Sequence, residues 1–345
     1  KPKAGYKIYK VSKRWPLFIR YLIYFFKLFV LAYDFPLVYA QGPVTSGVPA
    51  WWVAKFLDKK LAVKVVGDYA WEQARVFGMS EQDIDEWQTK PEYKSKKFFD
   101  KIGLILRLQK RVVSEADKVI VPAHYLKKLV TGWGADESKV EVVYNATGIT
   151  CIEPEFGQDR AKKKLGLSGD ILITVGRFVP WKGFDFLIDL MPEILKINKD
   201  FKLIIVGEGM EIKKYQKKIQ DLGLVEKVLL PGSLAKDKIC MYYRASEMFL
   251  LNSGYEGLSH VMLEAMKYRL PVLASDKGGN DEIVDNGING LLLSYNDKEA
   301  WIEGIKKIWR DEELAKRMAD SPIPNLPCFD FNEMIEHTIK TLENI

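Results

Sequence analysis

The chain has 345 residues, of which 48% are hydrophobic and 28% charged, so its composition excludes a disordered chain, a collagen-like repeat and a disulfide scaffold. This length corresponds to about two domains of ~150 residues each, and two domains predict a cleft between them. The net charge of +6 is too small to indicate a nucleic-acid-binding protein, and no nucleic-acid recognition motif is present. The charge is uneven, since residues 1–150 carry 25 basic and 15 acidic side chains, against 27 and 31 in residues 151–345.

The first predicted element is a helix over Trp15–Tyr33, a segment rich in Phe, Tyr, Trp and Leu. Arg20 and Lys27 interrupt the segment and a strand pattern follows almost at once, which favours a buried or interfacial helix over a membrane span. All eight charges in residues 1–33 are positive. Two interpretations stay open: a helix that rests on anionic lipid headgroups at the inner face of a membrane, and a core helix with a cationic edge.

Short apolar, β-branched runs alternate with longer amphipathic stretches along the rest of the chain, which is typical of βα units that form a parallel sheet. The first half contains four strand patterns, near Leu37–Ala40, Leu61–Val66, Lys118–Val121 and Val140–Tyr144. The second half contains six, near Ile171–Val175, Lys202–Val206, Lys227–Leu230, Met248–Leu251, Pro271–Ala274 and Leu291–Leu293. The clearest helix patterns lie at Gly183–Asn198, Met210–Leu222 and Ser259–Tyr268. The second half is therefore predicted to be a complete doubly wound domain.

These patterns also set the predicted domain boundaries. Residues 1–150 form a first domain, which we expect to be incomplete at its start because nothing before Leu37 has the pattern of a strand and a Gly-rich turn. The polar segment Ala146–Ser168 predicts the junction, and residues 168–325 form the second domain. Residues 326–345 predict a final helix that caps one of the two domains, with packing back on the first as the expected arrangement.

Cysteine and histidine spacing bears on metal sites and on the cellular compartment. The isolated cysteines are interpreted as buried or bystander thiols of a cytoplasmic protein: Cys151, Cys240 and Cys328. The histidines have no ligand spacing to one another or to a cysteine, which argues against a zinc site: His124, His260 and His337. Asp83-Ile84-Asp85 has the residues to hold a divalent cation on a nucleotide diphosphate, but its polar surroundings favour a solvated acidic helix or loop. We therefore expect neither a metal nor a cofactor.

The first chemically suggestive cluster, GRFVPWKG, comes directly after a strand and before a helix. Gly176 permits a sharp turn at the carboxyl end of the strand, and Arg177 and Lys182 are placed to project into the crevice that open parallel sheets use for ligands. Cations are disfavoured at the positive end of a helix unless an anion compensates them. Because Arg offers a planar fork and Lys a point charge, the pair predicts a diphosphate ligand, the alternative being surface charges at a helix start.

The second cluster is the run YEGLSHVMLEAM, which follows the predicted strand Met248–Leu251. Gly257 permits close backbone approach, and Ser259 is placed to cap a helix whose free N–H groups would receive an anion. Glu256 and Glu264 are eight residues apart, slightly over two helical turns, so both carboxylates could face one ligand and accept hydrogen bonds from sugar hydroxyls. The alternative is that one of them simply pairs with a nearby Lys.

Two further glycine clusters end strands. The loop Lys277–Ile283 has glycines and an acidic first turn that are ordinary for a βα connection, and functional and structural interpretations stay open. The run Val206–Gly209 has two glycines but no third at the spacing of a dinucleotide fingerprint, so it does not predict a nicotinamide site.

Taken together and in this order, GRFVPWKG, VGEG, the two glutamates of YEGLSHVMLEAM, and GGNDEIV followed by NGINGLLL resemble the carboxyl-terminal domain of retaining glycosyltransferases of family 4, which have the GT-B architecture. The resemblance spans about Asp34–Leu342 and is strongest over Ile171–Ala315. It implies two doubly wound, Rossmann-like α/β domains facing a cleft. It also implies a nucleotide-sugar donor held mainly by the second domain and an acceptor held by the first.

The resemblance implies catalytic roles for three residues. Arg177 and Lys182 would neutralise the donor diphosphate and the leaving nucleotide, and Glu256 would contact the transferred sugar. Negative charge develops on the departing diphosphate, so preorganised cations and helix-end amides would lower the barrier without a metal.

Further residues are implied for the two substrates. The donor would contact Gly176, the backbone amides of Gly257, Leu258 and Ser259, and, through its ribose hydroxyls, Glu264. On the acceptor side the match is weaker, because Tyr39-Ala40-Gln41-Gly42 stands where many relatives have His-x-His-Gly, and Gly67-Asp68 where a His often precedes an acidic residue. Gln41 and Asp68 are then the acceptor-side candidates.

The sequence thus predicts a cytoplasmic, peripherally membrane-associated hexosyltransferase that uses a UDP- or GDP-sugar in surface glycan or glycolipid assembly. Its partners would be the donor, a glycan or lipid-linked acceptor and an anionic membrane surface, with no nucleic acid. Three alternatives remain: a GT-B nucleotide-sugar epimerase, a phosphorylase, and a non-catalytic sugar-nucleotide-binding subunit of another transferase.

Overall fold

The computed structural model describes residues 6–12, 14–94, 100–146, 157–323 and 329–345. Two parallel sheets, each flanked by helices, form two α/β domains. The elements of the first domain are α1 (Leu17–Ala32), β1 (Leu37–Gln41), α2 (Gly47–Leu57), β2 (Lys60–Lys64), α3 (Tyr69–Val76), α4 (Ile84–Thr89), α5 (Lys101–Ser114), β3 (Lys118–Val121), α6 (His124–Gly132) and β4 (Val140–Val142).

The remaining elements build the second domain and a final helix. They are α7 (Gln158–Leu165), β5 (Asp170–Val175), α8 (Phe184–Ile197), β6 (Phe201–Val206), α9 (Ile212–Asp221), β7 (Val228–Gly232), α10 (Lys236–Ala245), β8 (Met248–Leu251), α11 (His260–Lys267), β9 (Val272–Ser275), β10 (Leu291–Leu293), α12 (Lys298–Arg310), α13 (Glu312–Asp320) and α14 (Phe331–Glu343).

All ten predicted strands are present, with ends that shift by a residue or two. The first sheet has the order β1-β2-β3-β4, and the second has the order β10-β9-β8-β5-β6-β7, with every strand pair parallel. In the second sheet the strand order reverses where β5 lies beside β8. Ligands of doubly wound sheets bind at such a switch point, beyond the carboxyl ends of the strands.

The central strands of the second sheet are largely apolar because helices cover both faces. β8 is buried at every residue, and β5 and β6 are buried at all but one residue each. This burial explains why these strands appear in the sequence as continuous apolar runs rather than as an alternating pattern. The same enclosure leaves the loops at the strand ends as the places where polar chemistry can gather.

The N-terminal segment forms a helix, α1, which packs on the first domain. Phe25, Leu28 and Phe29 contact the core, while Phe26 and Val30 are exposed at 62% and 71%. None of the helices in the described ranges combines the length and hydrophobicity that a membrane crossing requires.

The junction differs in detail from the sequence pattern, whereas the final helix contacts the first domain as expected. Residues 147–156 of the expected junction lie outside the described residues, but α7, which follows them, packs on the second domain. There Lys162 Nζ lies 2.5 Å from Glu247 Oε1, so the second domain begins before residue 168. Helix α14 contacts the first domain, where His337 Nε2 lies 3.1 Å from Glu141 Oε1.

One cysteine differs from expectation. Cys240, in α10, is buried as expected, but it is disulfide-bonded, so the interpretation of it as a free thiol is wrong. Cys151 and Cys328 lie outside the described residues. The cysteine pattern therefore no longer argues for a reducing compartment.

Candidate functional site

The site is built around an ion pair that joins the two loops at the switch point of the second sheet. The loop after β5 contains a 3₁₀ helix, Pro180–Lys182, and the loop after β8 contains Glu256. Lys182 Nζ lies 2.5 Å from Glu256 Oε1, and both side chains are about nine-tenths buried, at 12% and 10% exposed. The pair therefore places a cation and an anion together where the crevice of this sheet would receive a ligand.

Backbone contacts hold these two loops against each other. Gly183, directly after Lys182, has a φ of +64°, and a Cβ there would lie 1.7 Å from the carbonyl oxygen of Asn252. The carbonyl of Trp181 accepts hydrogen bonds from the amide of Gly254, at 2.7 Å, and from the hydroxyl of Ser253, at 3.2 Å. Lys182 is thus presented from a loop whose backbone has little freedom.

The glycines of Val206–Gly209 have a structural explanation. A Cβ at Gly207 would lie 1.8 Å from the carbonyl oxygen of Gly176, and the amide of Phe178 donates to the carbonyl of Glu208 at 2.8 Å. The run after β6 therefore packs against the backbone of the loop that contains Gly176. Gly176 itself is packed against the side chains of Phe184 and Lys182.

Arg177 extends from this loop toward the first domain. Its guanidinium is 70% exposed, and its Nη2 lies 3.8 Å from Glu72 Oε2, on helix α3 of the first domain. Burial raises the pKa of the Glu72 carboxyl, while Arg177 opposes that rise. Arg177 therefore lies between the two domains, facing a carboxylate that the sequence reasoning missed.

The sequence feature that could have identified Glu72 is Gly67, which has no side chain. A Cβ at Gly67 would lie 2.7 Å from Glu72 Oε1 and 3.2 Å from the hydroxyl of Tyr255. The lack of a side chain at Gly67 leaves room for the Glu72 carboxyl. The Tyr255 hydroxyl is buried close to this carboxyl, and burial raises the pKa of the phenol.

We expect Glu72→Gln to strengthen the binding of UDP several-fold at alkaline pH, because the diphosphate that the sequence predicts for Arg177 would then meet no competing carboxylate. The raised pKa of Glu72 sets the sign of the pH dependence: as pH falls through it, wild-type Glu72 becomes neutral and the advantage of the variant disappears. Calorimetric titration from about pH 5 to 8 measures this, and the ratio of the two affinities cancels the titration of UDP itself.

The exposed Glu86→Gln variant, on α4, is the matched control for the loss of one negative charge. An affinity ratio for Glu72→Gln that stays constant across this pH range, or that matches the Glu86→Gln ratio, would contradict the competition.

Ser259 stands at the start of helix α11, but its side chain does not cap the helix as the sequence predicted. Ser259 is the N-cap residue and is 2% exposed, yet its hydroxyl makes no cap hydrogen bond and has no partner within the described ranges. The first turn of a helix carries N–H groups without intrahelical acceptors and a partial positive charge. Leu258, just before it, is buried in the core of the second domain.

The loop that carries Glu256 contacts the first domain and its own neighbour loop. A Cβ at Gly257 would lie 2.9 Å from the carbonyl oxygen of Val66, so the absence of a side chain allows this close approach across the cleft. Gly278 has a φ of +69°, and a Cβ there would lie 2.2 Å from the carbonyl oxygen of Glu256. The glycines of Lys277–Ile283 therefore support the Glu256 loop.

Two residues of the Lys277–Ile283 loop, Lys277 and Glu282, contact the first domain. The carboxylate of Glu282 accepts hydrogen bonds from the amides of His124 and Tyr125, at 2.9 and 2.8 Å, and so caps α6 of the other domain. Lys277 Nζ lies 3.7 Å from Asp83 and 3.5 Å from Asp85. The Asp-x-Asp motif is thus the start of an acidic helix, α4, that faces a lysine of the second domain.

Glu264 lies farther along α11. Its carboxylate accepts a hydrogen bond from the Tyr243 hydroxyl at 3.1 Å, and burial raises its pKa. This contact fixes the orientation of the carboxylate. Lys236 and Lys267 are near enough to oppose the rise in pKa.

The two acceptor-side candidates lie in different environments. Gln41 ends β1 and is exposed. Asp68 is fully buried and accepts hydrogen bonds from the amide of Trp71 and from the side chains of Gln109 and Gln88, at 3.0, 2.9 and 2.8 Å. Its oxygen atoms therefore hold the start of α3, the helix from which Glu72 reaches the cleft.

Aromatic side chains close the cleft beside the ion pair. The ring of Trp71, from the first domain, lies 5.2 Å from that of Trp181 and 5.4 Å from that of Tyr255, both from the second domain. Aromatic packing of this kind stabilises an interface beyond the area that it buries. The polar groups of the site thus lie beside an aromatic cluster, Trp71, Trp181 and Tyr255, to which both domains contribute.

Comparison with known proteins connects this geometry to a family. Residues 155–321, which contain the whole second sheet, match the model of the family described as glycosyl transferases group 1. The carboxyl-terminal domain is thus similar to the glycosyl transferases group 1. Lys182, Glu256 and Ser259 all lie within this domain.

Two curated relatives illustrate the range of the family. The D-inositol 3-phosphate glycosyltransferase of Nocardia farcinica is 26% identical over 242 residues, which cover 68% of this chain and 54% of the relative. The N-acetylgalactosamine-N,N'-diacetylbacillosaminyl-diphospho-undecaprenol 4-alpha-N-acetylgalactosaminyltransferase of Campylobacter jejuni is 28% identical over 218 residues, 63% of this chain and 57% of the relative. The matches thus span about half the length of these glycosyltransferases.

Solved structures establish the fold of both domains. HepE of Anabaena, solved in complex with UDP-glucose, superimposes with a TM-score of 0.75 at 21% identity, covering 93% of this chain and 82% of HepE. The two domains of this chain therefore together have the GT-B architecture.

Proposed function

We propose that the chain is a retaining glycosyltransferase of the family 4 type, which transfers a hexose from a UDP- or GDP-sugar to a glycan or lipid-linked acceptor. The observation that carries the proposal is the buried Lys182–Glu256 pair at the switch point, with Arg177 extended over the same cleft. Lys182 and Arg177 would contact the diphosphate of the donor, and Glu256 would contact its sugar.

Departure of the nucleotide is the step that the cations assist. Negative charge grows on the diphosphate as its bond to the sugar breaks, and cations fixed in advance stabilise that charge without reorganisation. Lys182 is held by its ion pair, whereas Arg177 is exposed and can fold onto the phosphates. The buried Ser259 hydroxyl and the first turn of α11 add donors for the same anion. The proposal needs no metal ion because protein groups supply this positive charge.

Two carboxylates, Glu256 and Glu264, recognise the sugars of the donor. Glu256 accepts hydrogen bonds from hydroxyls of the transferred sugar, while its contact with Lys182 fixes its orientation. Glu264, oriented by Tyr243, receives the ribose hydroxyls. The UDP-glucose in the HepE structure makes UDP the first nucleotide to test.

The first domain would hold the acceptor and face a membrane. Its helices α1 and α2 expose large apolar side chains, among them Phe26, Val30, Trp52 and Phe56. Lysines and arginines surround them in the sequence, and this combination favours an anionic lipid surface at the inner face of a membrane. A lipid-linked acceptor would reach the cleft from that surface.

Titration of the chain with UDP, GDP and their glucose, N-acetylglucosamine and mannose conjugates tests the proposal. One nucleotide should bind in the micromolar range, and with a suitable acceptor the product should retain the anomeric configuration of the donor in its NMR spectrum. Conversion of the sugar nucleotide without an acceptor, dependence on free phosphate, or binding without any turnover would each contradict a transferase. Those outcomes correspond to an epimerase, a phosphorylase and a non-catalytic subunit.

A further inference from the structure

A half-buried lysine ends strand β2, at the edge of the first sheet that meets the second domain. Lys64 is the last residue of β2, and its ammonium donates to the side-chain oxygen of Asn145 at 2.7 Å. Two residues farther on, the carbonyl oxygen of Val66 lies 2.9 Å from the position that a Cβ at Gly257 would take in the second domain. Lys64 therefore lies at the carboxyl ends of the strands, where sheets of this kind bind their ligands.

The charge of Lys64 has no acidic partner. Across the described ranges no carboxylate lies within ion-pair distance of its ammonium, and Asn145 offers only a neutral amide oxygen. By contrast, the side chains of Lys118, Lys162 and Lys182 are 12–21% exposed, and each pairs with a carboxylate. Burial lowers the pKa of the Lys64 ammonium, and no neighbouring carboxylate opposes the fall. Because an unpaired cation loses hydration when it is buried, an anion from outside the chain would stabilise Lys64 in this position.

The second domain places the start of helix α11 near Lys64. His260 is the first residue of α11, and partial burial lowers the pKa of its imidazole, an effect to which the charge of Lys64 adds. A hydrogen bond to the backbone of Ala146 opposes that fall. Two consecutive residues of the domain junction, Asn145 and Ala146, thus contact Lys64 and His260 respectively. The ammonium and the helix start therefore share one region of the cleft.

The start of α11 has hydrogen-bond donors that no protein group uses. Ser259 is 2% exposed, and its hydroxyl has no partner in the described part of the chain. The N–H groups of the first helical turn have no intrahelical acceptors and carry a partial positive charge. Glu256, three residues earlier, already pairs with Lys182 at 2.5 Å. An anion at this helix start would therefore meet donors from the second domain and the ammonium of Lys64 from the first.

We propose that Lys64 contacts the diphosphate of the sugar-nucleotide donor from the first domain, opposite the start of α11. Lys182 and Arg177 supply positive charge from the second domain, and Lys64 adds a cation from the other side of the cleft. It acts through its charge and transfers no proton, since a fixed cation stabilises the negative charge that grows on a departing diphosphate. This inference rests on the proposed transferase function and adds a residue to its donor site.

The test compares two variants that lose the same charge from the same strand. Lys64→Met alters the cleft, whereas Lys60→Met removes a cation at the other end of β2, where Lys60 is 56% exposed and pairs with Asp117. UDP binding is measured by calorimetry, and binding of uridine, which has no phosphate, is measured by NMR titration. We expect Lys64→Met to weaken UDP binding about tenfold and to leave uridine binding unchanged, while Lys60→Met changes neither.

Two further variants separate contact with the diphosphate from a purely structural role. Lys64→Arg keeps the positive charge and should recover most of the UDP affinity. Asn145→Ala keeps the ammonium and removes its hydrogen-bond acceptor, so it should weaken UDP binding less than Lys64→Met does. Equal losses of UDP and uridine binding in Lys64→Met, or an equal loss of UDP binding in Asn145→Ala, would overturn the contact, since Lys64 would then only hold the domain junction in place.

Lys182→Met separates this inference from the proposed function. If Lys182→Met loses UDP binding while Lys64→Met binds UDP as tightly as wild type, the donor site stands and the contact with Lys64 is overturned. A wild-type chain that binds neither UDP nor GDP would contradict the donor site itself, and with it the role of Lys64.

Discussion

Replacing Lys182 with Met is expected to weaken UDP binding by about 30-fold or more and to abolish transfer. Lys182 is nine-tenths buried beside Glu256, so its charge acts on a bound diphosphate with little screening by water. Truncating one member of a desolvated charge pair typically costs about 2–5 kcal/mol of binding, and each 1.4 kcal/mol is about tenfold in affinity. Isothermal titration with UDP measures the loss directly.

The control must separate loss of binding from loss of folding. Lys182→Met leaves Glu256 buried without its partner, which destabilises a protein by about 3–5 kcal/mol. The double variant Lys182→Met, Glu256→Gln removes both charges and should recover much of that stability, while UDP binding stays weak. A stable double variant that binds UDP as tightly as wild type would refute the role assigned to Lys182.

Replacing Gly183 with Ala is expected to be among the most damaging single-methyl changes in the second domain. The new Cβ would lie 1.7 Å from the carbonyl oxygen of Asn252, so the loops after β5 and β8 must move apart. Because Lys182 precedes Gly183 and Glu256 lies on the other loop, the same movement would separate the ion pair. We expect the free energy of unfolding to fall by about 3 kcal/mol or more, with loss of UDP binding.

Gly223→Ala is the matched control. Gly223 has a φ of +66°, nearly that of Gly183, but nothing lies within 4 Å of the Cβ position. Its substitution therefore carries only the backbone strain of a left-handed residue, about 1–2 kcal/mol. Urea denaturation of the two variants measures how much the steric clash at Gly183 adds to the loss of stability. Equal losses in the free energy of unfolding would show that the loops after β5 and β8 do not pack as tightly as described.

Most of the second domain could be predicted because short stretches of its sequence specify each strand and the loop that follows it. A strand buried on both faces must be apolar along its length, and the glycines and charges that follow each strand mark its carboxyl end. Arg177, Lys182 and Ser259 were identified in this way, and the structure brings their loops together at the switch point.

Other contacts could not be predicted because they depend on how the two domains meet. Glu282 caps a helix that lies more than 150 residues earlier in the chain, and no local periodicity encodes that contact. Glu72 belongs to an ordinary polar helix, and only the space over Gly67 distinguishes it. Asp68 was identified from its position after a strand, but burial makes it the cap of α3.

Hydrogen–deuterium exchange of the whole chain, with and without saturating UDP, tests the central claim most directly. Amide exchange reports ligand contacts and local opening segment by segment. A donor held at the switch point should protect residues 176–183 and the start of α11 at 259–262, and leave the exposed helix α14 unchanged. Binding of UDP that protects neither of these two segments would contradict the assignment of the donor site.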